Sequence, residues 1–393
     1  MKKFRKSISL MLVLCLSMII LAGCNNHSTK APKEENVSEA DKTEQENSEV
    51  MNTDENEGEK IIIDQVGHEI KIPRKINRVV ISSLWPLPSV YCLFQGSSEG
   101  LVGMHPASKS AAIYSLLPEI APEVKDVETN FVQNGEMNVE ELMKLKPDVV
   151  FGSKETEYEM VTKAGIPYVQ FVANPTGDGN AIESVGSWLK LLGEIFDKED
   201  RADEIMNEGY QVLEEIEKVV NNVAEKDKVR ALIIFKYDDG QLAVAGKGHF
   251  GDFWLNSAGA INVAGEVQGP KDVNMEQIYT WNPDKIFLTN FTSHMPEDFY
   301  ENTIDNHDWS NIKAVQNKEV YKIPLGMYRW YPPSSDTPLM LKWMALKNYP
   351  ELFKDLDINQ EVREYYEKFY EKDLTDEQIE NIFNPSREAA GGV

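Results

Sequence analysis

Two series of short apolar runs, separated by one long stretch with helical spacing, constrain the fold of this chain more than any other feature. The first series is Val79-Val80-Ile81, Leu101-Val102-Gly103, Val149-Val150-Phe151 and Tyr168-Val169. Each run is too short for a helix and suits a strand buried on both faces. The second series is Ala231 to Phe235, Leu242-Ala243-Val244, Lys285 to Leu288 and Val320 to Ile323, with Phe253 to Ala258 and Met275 to Thr280 as helices between them. Strands alternating with crossovers predict an α/β lobe, so the chain reads as two such lobes with central sheets. Ile61 to Ile63, Gly67 and Ile70 to Pro73 read as a small hairpin ahead of the first lobe, and Pro338 to Asn348 and Val362 to Tyr370 as closing helices.

Between the series, Ile182, Val185, Leu189, Leu192 and Phe196 fall three or four apart. After Asp197 to Asp200 the same spacing returns at Ile205, Leu213, Ile216 and Val220. About 40 helical residues at 1.5 Å each would reach roughly 60 Å, longer than one lobe is wide. A broken, mostly helical connector between two lobes is the expectation, with Asp200 as cap of its second half.

The chain ends have a different character. Lys2, Lys3, Arg5 and Lys6 precede an apolar run from Ile8 to Leu21, which has the form of a secretory signal. The run falls short of the roughly 20 residues needed to span a bilayer. It closes on Leu21-Ala22-Gly23-Cys24, which resembles the lipobox of bacterial lipoproteins, where the cysteine thiol receives lipid. Of the three cysteines, Cys15 leaves with the signal and Cys24 becomes the anchor, so Cys92 has no disulfide partner and reads as a small buried hydrophobe. Residues 25–60 hold almost no apolar side chains and cannot offset the entropy of ordering, so they read as an acidic, disordered tether. The expected organisation is a signal peptide (1–23), a tether (24–60), an N-terminal lobe (61–177), a helical connector (178–225), a C-terminal lobe (226–374) and a C-terminal tail (375–393), anchored by lipid on the outer face of the cell membrane. With 40 Lys and Arg against 65 Asp and Glu, a formal charge of −25 argues against a nucleic-acid partner.

Several segments carry a family resemblance. Asp64 to Pro73 with Arg78-Val79-Val80, Glu140-Glu141-Leu142 with Leu145 to Val150, Ala245 to Gly248, and Asn256 to Ala260 with Asn262-Val263-Ala264 occur in an order and spacing that resemble the substrate-binding lipoproteins of ABC importers for iron complexes, haem and corrinoids. The resemblance, from about Ile61 to Phe353, implies two α/β lobes joined by a long helix, with the ligand in a cleft between them. It implies a monomer that docks on a membrane permease coupled to an ATPase, through one glutamate near the tip of each lobe. The matching positions are Glu140 and Glu276. Each opens a predicted helix, where the macrodipole favours a carboxylate and leaves it exposed for an arginine partner. The two settings echo each other: Met137 to Glu140 with Lys146-Pro147-Asp148, and Val273 to Glu276 with Asn282-Pro283-Asp284.

Ligands of α/β folds collect outside the carboxyl ends of strands. The candidates there are Trp85, in the loop after Ile81; His105, after Leu101 to Met104; Lys236 and Tyr237, at the end of the Ala231 run; and Lys247, His249 and Phe250. Phe291 and His294 follow Leu288. Tyr328-Arg329-Trp330-Tyr331 is the densest cluster, and three aromatics with an arginine in a loop bounded by Pro324 and Pro332-Pro333 are expected to present some members to a partner. Aromatic walls with a guanidinium suit a flat, anionic metal chelate, because the faces supply dispersion area and Arg329 can fork onto an anion. His249 could fill an open coordination position on a bound metal, and Tyr328 could offer a phenolate to ferric iron. The plain alternatives are a hydrophobic cluster under a loop and a histidine satisfied by backbone groups.

No intrinsic cofactor is expected, since any metal arrives within the ligand. No H-E-x-x-H spacing or histidine-rich loop supports bare divalent metal. The leading expectation is a non-catalytic receptor that captures a ferric siderophore, haem, a corrinoid or a small nickel or cobalt chelate and hands it to an importer. The alternative is a surface-tethered hydrolase, for which no G-x-S-x-G elbow or P-loop speaks.

Overall fold

The structure, a computed structural model, describes residues 58–238, 241–389 and 391. The expected signal, Cys24 and nearly all of the tether lie outside these residues. The first element, β1 (Glu59–Ile63), pairs antiparallel with β2 (Glu69–Pro73). Its alternation is that of a half-covered hairpin, with Ile61 and Ile63 exposed while Ile62, Ile70 and Ile72 reach the core.

The first sheet contains β3 (Val79–Ile81), β4 (Leu101–Met104), β7 (Val149–Gly152) and β8 (Tyr168–Gln170), all parallel, in the order β4-β3-β7-β8. Its crossovers hold α1 (Leu87–Gln95), α2 (Pro106–Ala112), α3 (Leu117–Ile120), a two-residue pair β5 (Val132–Gln133) and β6 (Glu136–Met137), α4 (Val139–Lys144) and α5 (Glu155–Lys163). Val79, Val80 and Ile81 are all buried, as a central parallel strand requires. Cys92 is a free thiol packed within this lobe's core.

The connector is two helices, α6 (Ala181–Phe196) and α7 (Glu199–Val220), broken at Asp197 in the left-handed region (φ 52°). They do not run end to end as a spine. They fold back on each other: Gly193 lies against Ala202, Gly186 against the Tyr210 hydroxyl and Gly209 against Ile182. Small residues at these points let the two apolar faces meet. Asp200 lies in the first turn of α7, whose N-cap is Lys198.

The second sheet contains β9 (Arg230–Asp238), β10 (Gln241–Ala245), β11 (Ile261–Asn262), β12 (Pro270–Asp272), β13 (Lys285–Leu288) and β14 (Val320–Lys322), in the order β12-β10-β9-β13-β14 with β11 against β9. Strands β9, β13 and β14 are parallel, while β10 is antiparallel to β9. The helices are α8 (Phe250–Ser257), α9 (Met275–Trp281), α10 (Pro296–Tyr300), α11 (Lys313–Gln316), α12 (Thr337–Asn348), α13 (Ile358–Tyr370) and α14 (Asp376–Phe383). The molecule is thus an α/β protein of two lobes.

The echo between the lobes is structural. Asn138 caps α4 and Asn274 caps α9. Lys146 and Asn282 then turn the chain through the left-handed region (φ 46° and 40°). Asp148 accepts the backbone N–H of Arg78 (2.9 Å) and Asp284 that of Arg230 (3.0 Å). The two guanidinium groups reach back to the helix ends, Arg78 Nε to the Leu145 carbonyl (2.8 Å) and Arg230 Nη2 to that of Trp281 (3.2 Å). Each arginine thereby satisfies carbonyls that a helix end leaves without partners.

Residues 375–389, set apart in the sequence as a tail, pack onto the body. Ile379 and Ile382 of α14 are buried, and the Leu325 N–H donates to the Ile382 carbonyl (2.9 Å). Beyond α14, Arg387 forks onto Asp298 (2.7 and 2.8 Å), and the Tyr114 hydroxyl donates to Glu388 (3.0 Å).

Candidate functional site

The carboxyl ends of β3, β4 and β7 bring one set of groups together. Ser82 and Ser83 follow β3, and their hydroxyls lie 2.6 and 2.9 Å from Oε2 of the buried Glu157 on α5. The Tyr168 hydroxyl reaches the same oxygen (3.2 Å), and Lys154 Nζ pairs with Oε1 (3.1 Å). A buried carboxylate with this many donors fixes the loop that carries them. Leu84 then adopts φ 62°, a left-handed conformation that costs a leucine roughly 1–2 kcal/mol. The turn leaves Leu84 buried and the indole of Trp85 41% exposed. Trp85 stacks on His105 (centroids 5.4 Å apart, planes at 28°). His105 is the N-cap of α2, where Nδ1 accepts the Ala107 N–H (3.1 Å). Burial lowers the pKa of His105 and the Lys154 cation lowers it further, against a smaller opposing pull from Glu157.

The carboxyl ends of β9, β13 and β14 assemble the second set. Phe235 of β9 and Phe291, after β13, lie 5.4 Å apart, and the Arg329 guanidinium sits 4.6 Å from the Phe291 centroid. Around Phe235 are His249 (5.1 Å) and Tyr331 (5.8 Å), and Phe250 is 5.4 Å from His249. The Tyr331 hydroxyl is 2.6 Å from His249 Nδ1. Burial pushes the His249 pKa down to about 4, so the ring is neutral at pH 7. Arg329 is 3% exposed, and its Nε and Nη1 have no hydrogen-bond partner among the described residues. Its one side-chain hydrogen bond among the described residues is a long one, Nη2 to the Gly391 carbonyl at 3.4 Å. Lys236 and Lys247 are exposed near this edge. The guanidinium is a buried cation with two nitrogens, Nε and Nη1, unpaired among the described residues and their three N–H donors unspent, a costly arrangement that an anion would relieve.

Several sequence expectations are corrected here. All four residues Tyr328 to Tyr331 are buried, at 3% exposure or less, where some were expected to face outward. The cover comes from downstream: Trp330 packs edge-on against Phe383 of α14 (5.8 Å), and its indole belongs to the main core. Tyr328 is sealed in at 2% exposure, and burial pushes its phenol up to about 12. The loop is pinned from within by the buried Asp336, which accepts the Met327 N–H (2.8 Å) and the Tyr366 hydroxyl (2.8 Å). Tyr237 faces a different core, between His294 (4.8 Å) and His307 (5.5 Å), where Trp309 Nε1 donates to its hydroxyl (3.2 Å). The reason is a β-bulge: Val244 pairs with Ile234 but Ala243 with Lys236, so the extra residue Phe235 inverts the alternation beyond it.

Glu157, Leu84 and Phe235 were not among the sequence candidates for the site. Phe235 stood at a strand end, but nothing marked Glu157 apart from the other carboxylates of an acidic chain. Among the described residues no hydrogen bond or ring contact joins Trp85 or His105 to the Phe235, His249 and Arg329 set. The lobes touch beside them instead, where the Leu116 N–H donates to the Gly326 carbonyl (2.9 Å), Ser115 Oγ lies 3.0 Å from the Met327 carbonyl, and Gly179 lies so close to the His249 backbone that a Cβ would not fit. Glu140 and Glu276 are both exposed in the first turns of α4 and α9. No group of three or more His, Cys, Asp or Glu among the described residues could hold a metal ion by itself. No described helix is long and apolar enough to cross a membrane.

Comparison with known proteins adds the following. The family model described as periplasmic binding protein matches residues 107–325. A crystal structure of a periplasmic solute binding protein from Veillonella parvula is 32% identical, with a TM-score of 0.76, over 84% of this chain and 98% of that one. The molybdate-binding protein MolA of Haemophilus influenzae is 27% identical over 335 residues, 79% of this chain and 91% of MolA. CeuE of Helicobacter pylori, solved with Ni(II) bound, shares the fold at 21% identity, with a TM-score of 0.62 over 82% of this chain and 99% of its own.

Proposed function

Because this chain belongs to the periplasmic binding protein family, and is thus a solute-binding protein of an ABC transporter, we propose that its cargo is an anionic metal compound whose outer atoms are oxygens. A ferric siderophore and a metal oxyanion are the two forms that fit this chemistry. The observation that carries the reading is Arg329, buried against Phe291 with Nε and Nη1 unpaired among the described residues. A bound anion would supply the missing acceptors, and the phenyl faces would exclude water and strengthen the charge interaction. Trp85 and His105 line the opposite lobe's share of the cleft. The open face of Trp85 also favours a second reading, a planar tetrapyrrole such as haem or a corrinoid, against which the indole would stack.

Delivery follows the family's mode of action: the cargo-bearing protein meets the permease of its transporter, and Glu140 and Glu276, exposed at matching positions of the two lobes, contact it. Cys24 anchors the protein by lipid to the outer face of the membrane. The test of cargo is a tryptophan-fluorescence titration of the purified full-length protein in detergent with sodium molybdate, a ferric catecholate siderophore, haemin, cobalamin and nickel chloride. Saturable quenching by molybdate or the siderophore, lost in Arg329→Met, is the expected result. Binding that leaves Arg329→Met unaffected would overturn the assignment, and turnover of a bound compound would revive an enzyme.

A further inference from the structure

His105 and His249 stand at the cargo-side strand ends of different lobes, and each has its Nδ1 already committed to the fold. His105 Nδ1 faces the Ala107 backbone N–H at 3.1 Å. An amide nitrogen can only donate, so Nδ1 must be the unprotonated, accepting nitrogen and the ring proton must sit on Nε2. His249 Nδ1 faces the Tyr331 hydroxyl at 2.6 Å. Tyr331 is 1% exposed, and His249 Nδ1 is the one hydrogen-bond partner of its hydroxyl among the described residues. Its own O–H has no other acceptor among the described residues, and a buried hydroxyl without one is costly, so it donates to His249 Nδ1. That again puts the proton on Nε2. Neither Nε2 has a hydrogen-bond partner among the described residues, and neither is sealed from solvent.

We infer that both imidazoles are fixed as Nε2–H tautomers, so that each lobe offers the cleft an N–H donor and the cargo is gripped through its oxygen atoms, with no histidine bonded to its metal. Burial lowers the pKa of both rings, which keeps them neutral donors at pH 7. Metal ligation by Nε2 would need that proton removed, which means an imidazolate or the loss of the Nδ1 partner. The tautomer of a metal-ligating imidazole is set by the bond its other nitrogen makes, and here that bond is of the wrong sense. The inference deepens the cargo reading and rests on it for the word cleft, but the tautomers themselves can be measured without cargo.

The experiment is 15N NMR of histidine-labelled full-length protein in detergent at pH 7, with His105→Asn and His249→Gln used to assign the two rings. Protonated Nε2 and unprotonated Nδ1 in both is the expected result, and Nδ1–H in either ring overturns the inference. Nickel chloride added as a probe should leave both spectra unchanged, and a coordination shift at either Nε2 would also overturn it. With sodium molybdate as the second probe, calorimetry should show His249→Ala losing at least about tenfold in affinity, as expected for a hydrogen bond to a charged group. His249→Gln, which restores an N–H donor, should stay within about threefold. His105→Asn keeps an acceptor at the cap and lacks the outer donor, so it should bind more weakly with an unchanged melting temperature. Silence of molybdate with both tautomers as assigned would count against the cargo reading and in favour of the tautomer assignment.

Discussion

The Tyr331 hydroxyl and Nδ1 of His249 lie 2.6 Å apart across 82 positions of sequence. This contact ties the loop after β14 to the start of α8, and it sets which face of the imidazole is spent on the fold. Tyr331→Phe keeps the ring and its packing but frees Nδ1. We expect a loss of about 1 kcal/mol in denaturant unfolding, the net worth of a hydrogen bond, and a His249 ring that NMR finds as a mixture of tautomers.

The pH dependence of stability has a definite sign at His249. Burial lowers its pKa to about 4 from an ordinary 6.5, so between those values the unfolded chain takes up a proton that the folded protein does not. The stabilisation is complete above pH 6.5 and is lost as pH falls towards 4. Unfolding midpoints of the wild type and His249→Gln, followed from pH 8 to 4, should run parallel above pH 7 and diverge below 6.5, with the wild type falling faster. Parallel curves throughout would show that the ring is not shielded.

Glu157 holds Ser82, Ser83, Tyr168 and Lys154 around one carboxylate. Glu157→Ala leaves the buried Ser83 hydroxyl without an acceptor, and Ser82 and Tyr168 with only the longer bonds to the Phe151 and Lys154 carbonyls (3.2 and 3.3 Å), and should destabilise the protein by about 1–3 kcal/mol. Because the same loop presents Trp85, the variant should also shift the indole's emission and its quenching by cargo. A stability loss with the Trp85 signal untouched would mean that the network braces the lobe without setting the loop.

Glu140 and Glu276 occupy solvent-facing first turns, so replacing both by alanine should change stability by no more than about 0.5 kcal/mol. Cargo binding should be unaltered while uptake by cells is abolished. Wild-type uptake in the double variant would dispose of the docking proposal.

Trp330→Ala should behave as a core truncation. The indole is fully buried against Phe383, and its loss should cost about 3–5 kcal/mol in chemical denaturation. Placing this residue in the cleft from sequence failed because the cover lies on α14, some fifty residues downstream. The signal was there in Ile379, Ile382 and Phe383, spaced as one helical face. The strands were legible because a run such as Val79 to Ile81 has no other way to bury itself, and the Pro-Asp turns before β7 and β13 were legible because proline ends a helix. The fold-back of α6 on α7 could have been read from Gly186, Gly193 and Gly209, whose small size allows close approach. Tyr237 was misplaced because a bulge, which no periodicity reveals, inverts β9 after Phe235. Glu157 was invisible for want of any mark that separates a buried carboxylate from its neighbours on the surface.

The most direct test concerns Arg329, whose Nε and Nη1 are buried without acceptors among the described residues. Arg329→Met should leave the cargo-free protein as stable as the wild type or more so, since removing an unpaired buried cation relieves a desolvation cost. The same variant should bind the anion identified by titration at least about tenfold more weakly. A protein that loses several kcal/mol of stability on this substitution and keeps its affinity would show that Arg329 serves the core and not the cargo.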